Sequence, residues 1–188
     1  MQTRSVDTNE LRKKRLFAWI IDYVISAIFM GLPQVIAYAK VTNSAEPIYD
    51  LYALEAKTGS ASLTVVVACL AIVLGWFYFV IIPGFFFPGQ TIGKKILKIQ
   101  IVKVGSTHVS IGALHIRNFF VLFLIEGFFT MAYRILAPLT TTVFRFYFDN
   151  YLYIFWLLGC GISFVVFFFQ KKNRMLHDVL SHTEVVNK

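Results

Sequence analysis

Long apolar runs separated by short, mostly basic connections organise this chain. Four runs stand out: Leu16 to Tyr38, Leu63 to Ile82, Phe119 to Ala137, and Tyr151 to Phe169. Each approaches or exceeds the roughly 20 residues that a helix needs to cross a hydrocarbon core about 30 Å thick. None shows the strict alternation, in segments of about ten residues, that marks a membrane β-barrel. Because the bilayer interior has no water to satisfy backbone groups, runs of this kind must be helical. The pattern therefore predicts an all-α integral membrane fold, a single domain over residues 1–188 with four transmembrane helices at 16–38, 63–82, 119–137 and 151–169. Pro33 can kink the first of them.

The connection between the second and third runs, residues 83–118, is the most informative polar stretch. Ile99 and Ile101 alternate with Lys98, Gln100 and Lys103, which predicts a short strand, and Gly105-Ser106 marks a hairpin turn. Ser110 is placed to cap a short helix that leads Leu114 into the third run. This segment is expected to form a small β-hairpin and amphipathic unit on the membrane surface, where Lys stems snorkel. The tail, 170–188, can add a strand through His182 to Asn187.

Charge orients this arrangement. Arg4, Arg12, Lys13, Lys14 and Arg15 precede the first run. Lys94, Lys95, Lys98, Lys103 and Arg117 lie between the second and third, and Lys171, Lys172, Arg174 and Lys188 follow the fourth. The alternate connections, 39–62 and 138–150, hold only Lys40, Lys57 and Arg145, with Arg134 near the exit of the third run. Positive residues concentrate on the cytoplasmic side of membrane proteins, so both termini are expected in the cytoplasm. Ala37-Tyr38-Ala39 resembles a signal-peptidase site, but the run before it is too long for a signal-peptide core and Asp22 interrupts it.

Composition agrees: 57% of residues are hydrophobic and 15% charged, against about 25% charged in a soluble domain. A soluble core of this size has no room for 20 Phe, 9 Tyr and 3 Trp. The net charge of +8 reads as topology and attraction to anionic lipid headgroups, not as nucleic-acid binding, since no basic region outside the runs is large enough for a recognition fold. Cys69 and Cys160 lie in different apolar runs without ligand spacing, so they are expected to be buried packing residues, neither disulfide nor zinc ligands.

Ionisable residues inside the runs are the candidate chemistry, because a charge at the bilayer centre costs about 2.5 to 3.5 kcal/mol on insertion scales. Asp22 follows Arg15 by seven residues, placing both on one helical face. It reads either as a carboxylate that binds a cation or proton, or as a structural ion pair with a basic residue from another segment. Glu126 lies near the middle of the third run and reads either as a second proton site or as a neutral, hydrogen-bonded acid joining helices. The four histidines, at 108, 115, 177 and 182, complete no metal-ligand pattern. No catalytic or nucleotide fingerprint occurs, so neither an enzyme nor a cofactor is expected.

Four segments in order then form a recognisable arrangement. Arg15-Leu-Phe-Ala-Trp-Ile-Ile-Asp22 opens the first run, Gly89-Gln90-Thr91-Ile92-Gly93-Lys94 follows the second, Arg117-Asn118 precedes the third, and Arg174-Met-Leu-His-Asp178 leads to Thr183 and Val185. Together they resemble the RDD family of prokaryotic membrane proteins, whose arginine and two aspartates map to Arg15, Asp22 and Asp178. Ile92 stands where that family often has proline. The resemblance implies a location in the prokaryotic inner membrane and, from activity attributed to some members, exchange of Na+ or K+ against protons.

Two functional expectations follow. In the first, a small-cation/proton transporter, Asp22 binds the ion, Arg15 tunes its charge, and Asp178 with Arg174 closes the cytoplasmic mouth. Four spans are few for a monomeric transporter, and no inverted repeat or pair of broken helices is visible, so a homo-oligomer is expected. Small residues Ala68, Ala71, Gly75, Gly159, Gly161 and Ser163 allow close helix approach. In the second, a non-catalytic scaffold or accessory subunit docks a partner through its basic cytoplasmic face, and the charged residues form a structural lock.

Overall fold

The computed structural model describes residues 8–43, 50–170 and 174–188. Arg4, Lys171, Lys172 and positions 44–49 of the first long loop lie outside the described residues. Among the described residues, three helices are long and apolar enough to cross a membrane, namely α1 (Thr8–Thr42), α3 (Ala61–Phe86) and α7 (Asp149–Phe169). All three extend the runs of the sequence pattern, and α1 continues through Pro33. A short helix α2 (Leu51–Thr58) sits in the first long loop. Asp50 caps its start, and Gly59, at a φ of 63°, ends it in the left-handed region that glycine favours.

The third predicted span is not one helix. Helix α5 begins at Ile111 with Ser110 accepting from Ala113 N–H, as the capping pattern anticipates, and ends at Ile125. After a 3₁₀ turn at Gly127–Phe129 the chain resumes as α6 (Tyr133–Phe144). The two pieces together still run from one end of the molecule to the other. Arg117 of α5 contacts Asp178, while Thr142 of α6 donates to Glu55 at 2.6 Å at the opposite end. Hydropathy cannot see the interruption, because the residues around it are as apolar as the helices they separate.

Two π-helical stretches face one another. The C-terminal part of α3, Phe77–Phe86, and most of α5, His115–Ile125, wind with i to i+5 bonds, closed at their ends by Phe87 N–H to Ile82 O and Glu126 N–H to Val121 O. Asn118 donates across the pair to the Phe79 carbonyl at 2.6 Å.

The strand is present, but its predicted hairpin partner is not. Strand β1 (Ile99–Lys103) pairs antiparallel with β2 (Thr183–Asn187) from the tail, Ile101 opposite Val185. The turn at Gly105 exists, with Ser106 N–H bonded to Lys103 O, yet the residues beyond it lead into α5 and form no strand. The buried faces of both strands, Ile99, Ile101 and Val185, pack against Ala18 of α1, Val80 of α3 and Leu114 of α5. Two short helices, α4 (Ile92–Ile96) and α8 (Leu176–Leu180), hold the sheet against the bundle.

Packing of α1 on α3 uses small and polar residues. Ala18, Asp22, Ser26, Met30, Gln34 and Tyr38 are buried at every fourth position of α1. Ala68, Ala71 and Gly75 supply buried small positions on α3, with Met30 Sδ only 3.0 Å from where a Gly75 β-carbon would lie. Much of this small-residue surface is therefore used within the chain. On α7, Trp156, Gly159, Cys160 and Ser163 form the inward stripe, and the remaining face is exposed apolar surface suited to lipid. Cys69, expected to be buried, is instead exposed. An all-round apolar helix does not reveal which face its neighbours cover.

Candidate functional site

The segments singled out in the sequence converge at one end of the bundle. Asp22 is buried and accepts four hydrogen bonds: from Tyr78 Oη at 2.6 Å, Thr91 Oγ1 at 2.5 Å, Gly93 N–H at 2.8 Å and Lys94 Nζ at 3.3 Å. An ionised carboxylate offers about four lone-pair sites, so Asp22 is saturated by its own chain. Its basic partner is Lys94, not Arg15. Three of these donors, Thr91, Gly93 and Lys94, come from the Gly89–Lys94 motif. Gly93 must be glycine because a β-carbon would stand 2.4 Å from the Ala18 carbonyl. Gly89 combines a φ of 71° with an approach that would put a β-carbon 2.3 Å from Ile101 O. Gln90 extends the motif to the sheet, donating to Ile99 O at 2.8 Å.

Arg15 belongs to a second cluster. It donates to Asp178 Oδ2 at 2.5 Å, and Arg117 donates to Asp178 Oδ1 from Nη2 at 2.7 Å and Nε at 3.1 Å. Met175 N–H closes a cap onto the same carboxylate. Burial alone would raise the Asp178 pKa, but the Arg15 and Arg117 guanidiniums outweigh it and hold the carboxyl well below the usual range. Lys94 moves the other way from its ordinary value, lowered by burial that the Asp22 charge only partly offsets. Arg174 is not among the partners of Asp178. Its buried Nε has no hydrogen-bond partner among the described residues.

Glu126 sits at the break between α5 and α6, fully buried. Its Oε2 shares a hydrogen bond of 2.7 Å with His177 Nδ1, and its Oε1 makes no hydrogen bond of ordinary geometry among the described residues, with the Ser163 hydroxyl as its polar neighbour. His177 Nε2 in turn lies 3.7 Å from Asp178 Oδ1, which links this pair to the arginine cluster. On its other side the break is covered by Trp156, whose Nε1 donates to Leu124 O at 2.9 Å and leaves no room for a β-carbon on Gly127.

Two cavities reach the neighbours of the break, although Glu126 itself lines neither. A cleft of about 390 Å³ at the network end is lined by His177 together with Asp22, Arg15 and Arg117. A cavity of about 380 Å³ toward the opposite end is lined by Trp156, Arg134, Asp50 and Asp149. Of the candidates read from sequence, Arg15, Asp22, Gly89, Gln90, Thr91, Gly93, Lys94, Arg117 and Asp178 thus form two adjoining clusters, and Glu126 joins them through His177. The family model for RDD matches residues 12–182.

The chain belongs to the RDD family. Among curated proteins and solved structures, none matches it. Within this RDD chain, Arg15 and Asp178 bind each other, whereas Asp22 is held by the Gly89–Lys94 motif. Tyr78, His177 and Trp156 were not legible as site residues. Tyr78 and Trp156 look like ordinary aromatics of apolar runs, and only its place beside Asp178 could have flagged His177.

Proposed function

We propose that this RDD protein is a multi-pass protein of a prokaryotic inner membrane that exchanges a small cation, Na+ or K+, against protons, with Glu126 as the ion- and proton-binding carboxylate. The observation that carries this reading is the Glu126 environment. A buried carboxylate, one oxygen of which makes no hydrogen bond among the described residues, sits at a helix break; its partner His177 lines one cavity, and Trp156, which covers the break, lines the other. Broken helices expose backbone carbonyls at membrane depth and recur at ion sites in secondary transporters. His177, at 2.7 Å, offers the next proton position toward the network end.

The α5–α6 segment then counts as a fourth, interrupted crossing. The shared location of Arg15, Lys94, Arg117 and Asp178 supports an even number of crossings with both termini on the cytoplasmic side. Asp22 and Asp178, saturated by internal donors, act as locks between the membrane helices and the cytoplasmic segments, and the protein is not an enzyme.

Reconstitution of the full chain in liposomes with an internal pH dye tests this. A Na+ or K+ pulse should drive proton flux that Glu126→Gln abolishes while the variant retains its thermal stability. No cation-dependent flux, or unchanged flux in Glu126→Gln, refutes it. The saturated state of Asp22 favours a second reading, a non-transporting scaffold that docks a membrane partner through the same basic face. Inert liposomes together with a stoichiometric partner retained in mild detergent would support that reading instead.

A further inference from the structure

The cavity at the end opposite the network has a lining more specific than passage of an inorganic ion requires. Its volume of about 380 Å³ lies in the range of small-molecule sites. Five aromatic side chains contribute to its walls: Tyr52, Tyr133, Tyr147, Tyr153 and Trp156. One ring holds three of them in place, since Phe128 packs on Tyr133, Tyr153 and Trp156 with centroids 5.2, 5.0 and 6.3 Å apart. The bond from Trp156 Nε1 to the Leu124 carbonyl fixes the indole further. Tyr147 and Tyr153 are 58% and 55% exposed, so the rim is open.

Among the described residues, the charged groups of the lining are Asp50, Arg134 and Asp149, two negative and one positive. Arg134 donates from Nε to the Tyr133 hydroxyl at 3.0 Å and feels the Asp50 charge, which leaves Asp149 as the surplus. Glu55 and Arg145 pair with each other at 2.6 Å outside the lining, and Glu126, paired to His177, is also outside it. Asp149 accepts from Tyr52 Oη at 2.5 Å and from Thr141 Oγ1 at 3.0 Å, both on Oδ1, so Oδ2 is the oxygen left for a ligand.

We propose that this cavity binds a small methylated organic ammonium ion, with Asp149 as counter-ion and the rings of Tyr133, Tyr153 and Trp156 as its cage. Such an ion spreads its charge over an apolar surface and is attracted to ring faces. Na+ and K+ instead need oxygen ligands in place of their hydration shells. The aromatic walls therefore favour the organic ion, and one uncompensated carboxylate matches one positive charge. The inference rests on the cavity and stands whether or not Glu126 carries ions.

Calorimetric titration of the full-length protein in neutral detergent tests this, with tetramethylammonium chloride as the probe and tert-butanol as its uncharged counterpart. The ammonium ion should bind saturably and tert-butanol should not, and Na+ or K+ at equal concentration should fail to displace the ion. Asp149→Asn keeps an acceptor for Tyr52 and Thr141 but removes the charge, and should weaken binding about tenfold. Tyr153 is exposed, so its variants retain the fold: Tyr153→Leu should weaken binding about fivefold, whereas Tyr153→Phe, which keeps the ring, should cost less than about twofold. Absence of saturable binding, equal binding of tert-butanol, equal losses in Tyr153→Leu and Tyr153→Phe, or displacement by equimolar Na+ or K+ would each overturn the proposal. The last outcome would assign the cavity to the inorganic cations of the transport reading, which the liposome flux tests separately.

Discussion

Gly93 donates its backbone N–H to Asp22 Oδ1 at 2.8 Å from a position so close to α1 that no side chain fits between them. The pair joins residues 71 apart in the chain and ties the cytoplasmic motif to the first membrane helix. Gly93→Ala would force its β-carbon toward the Ala18 carbonyl, a rigid backbone atom. The expected cost is about 1 to 3 kcal/mol, seen as a lowered unfolding midpoint in detergent, with Thr91 and Lys94 drawn away from Asp22.

Asp178→Asn should be more damaging than loss of any single surface charge. It leaves the Arg15 and Arg117 guanidiniums, the latter almost fully buried, without their counter-ion, at an expected cost of about 3 to 5 kcal/mol. The pH dependence follows from the depressed Asp178 pKa. A folded-state value below the unfolded one contributes stability that is fully present above the unfolded pKa of about 3.9 and is lost as pH falls toward the folded value. Wild-type protein should therefore lose stability below about pH 4, and Asp178→Asn should show a shallower acid slope over the same range. Unfolding midpoints measured across pH in detergent check both.

Two glycines on α7 provide an internal comparison. A β-carbon on Gly159 would meet the Ile125 carbonyl at 2.3 Å, at the very edge of the helix break, whereas one on Gly161 meets nothing within 4 Å. Gly159→Ala should destabilise by about 1 to 3 kcal/mol. Gly161→Ala should be neutral or stabilise by up to about 1 kcal/mol, because alanine loses less backbone entropy in a helix. Parallel thermal melts distinguish the two.

Asn118→Ala tests the paired π-helical stretches. The substitution removes the donor to the Phe79 carbonyl and the acceptor for Arg117 Nη1, leaving two buried groups unpaired. The expected cost is about 1 to 3 kcal/mol, with faster amide exchange in residues 77–86 and 115–125 than elsewhere in α3 and α5.

The sequence by itself determined the solvent and the elements. Run length and missing charge required membrane helices, alternation at Ile99 and Ile101 required a strand, and Ser110 marked a helix start. It also singled out most of the site, because Asp22 and Glu126 are costly in an apolar run and the Gly89–Lys94 motif carries the resemblance to the RDD family. Tertiary structure alone decided who binds whom. An ion pair between Asp22 and a basic residue of another segment was one of the two readings of the sequence, but which residue was not legible, because a cation goes to whichever carboxylate the fold brings within reach: the tail delivered Asp178 to Arg15 while the cytoplasmic motif delivered Lys94 to Asp22. The tail strand itself was legible from His182 to Asn187; only its pairing with β1 in place of the residues after Gly105 was decided by the fold. The break at Glu126 was hidden because its cause is nonlocal: Trp156 takes the Leu124 carbonyl and His177 takes Glu126, and neither contact leaves a trace in local hydropathy.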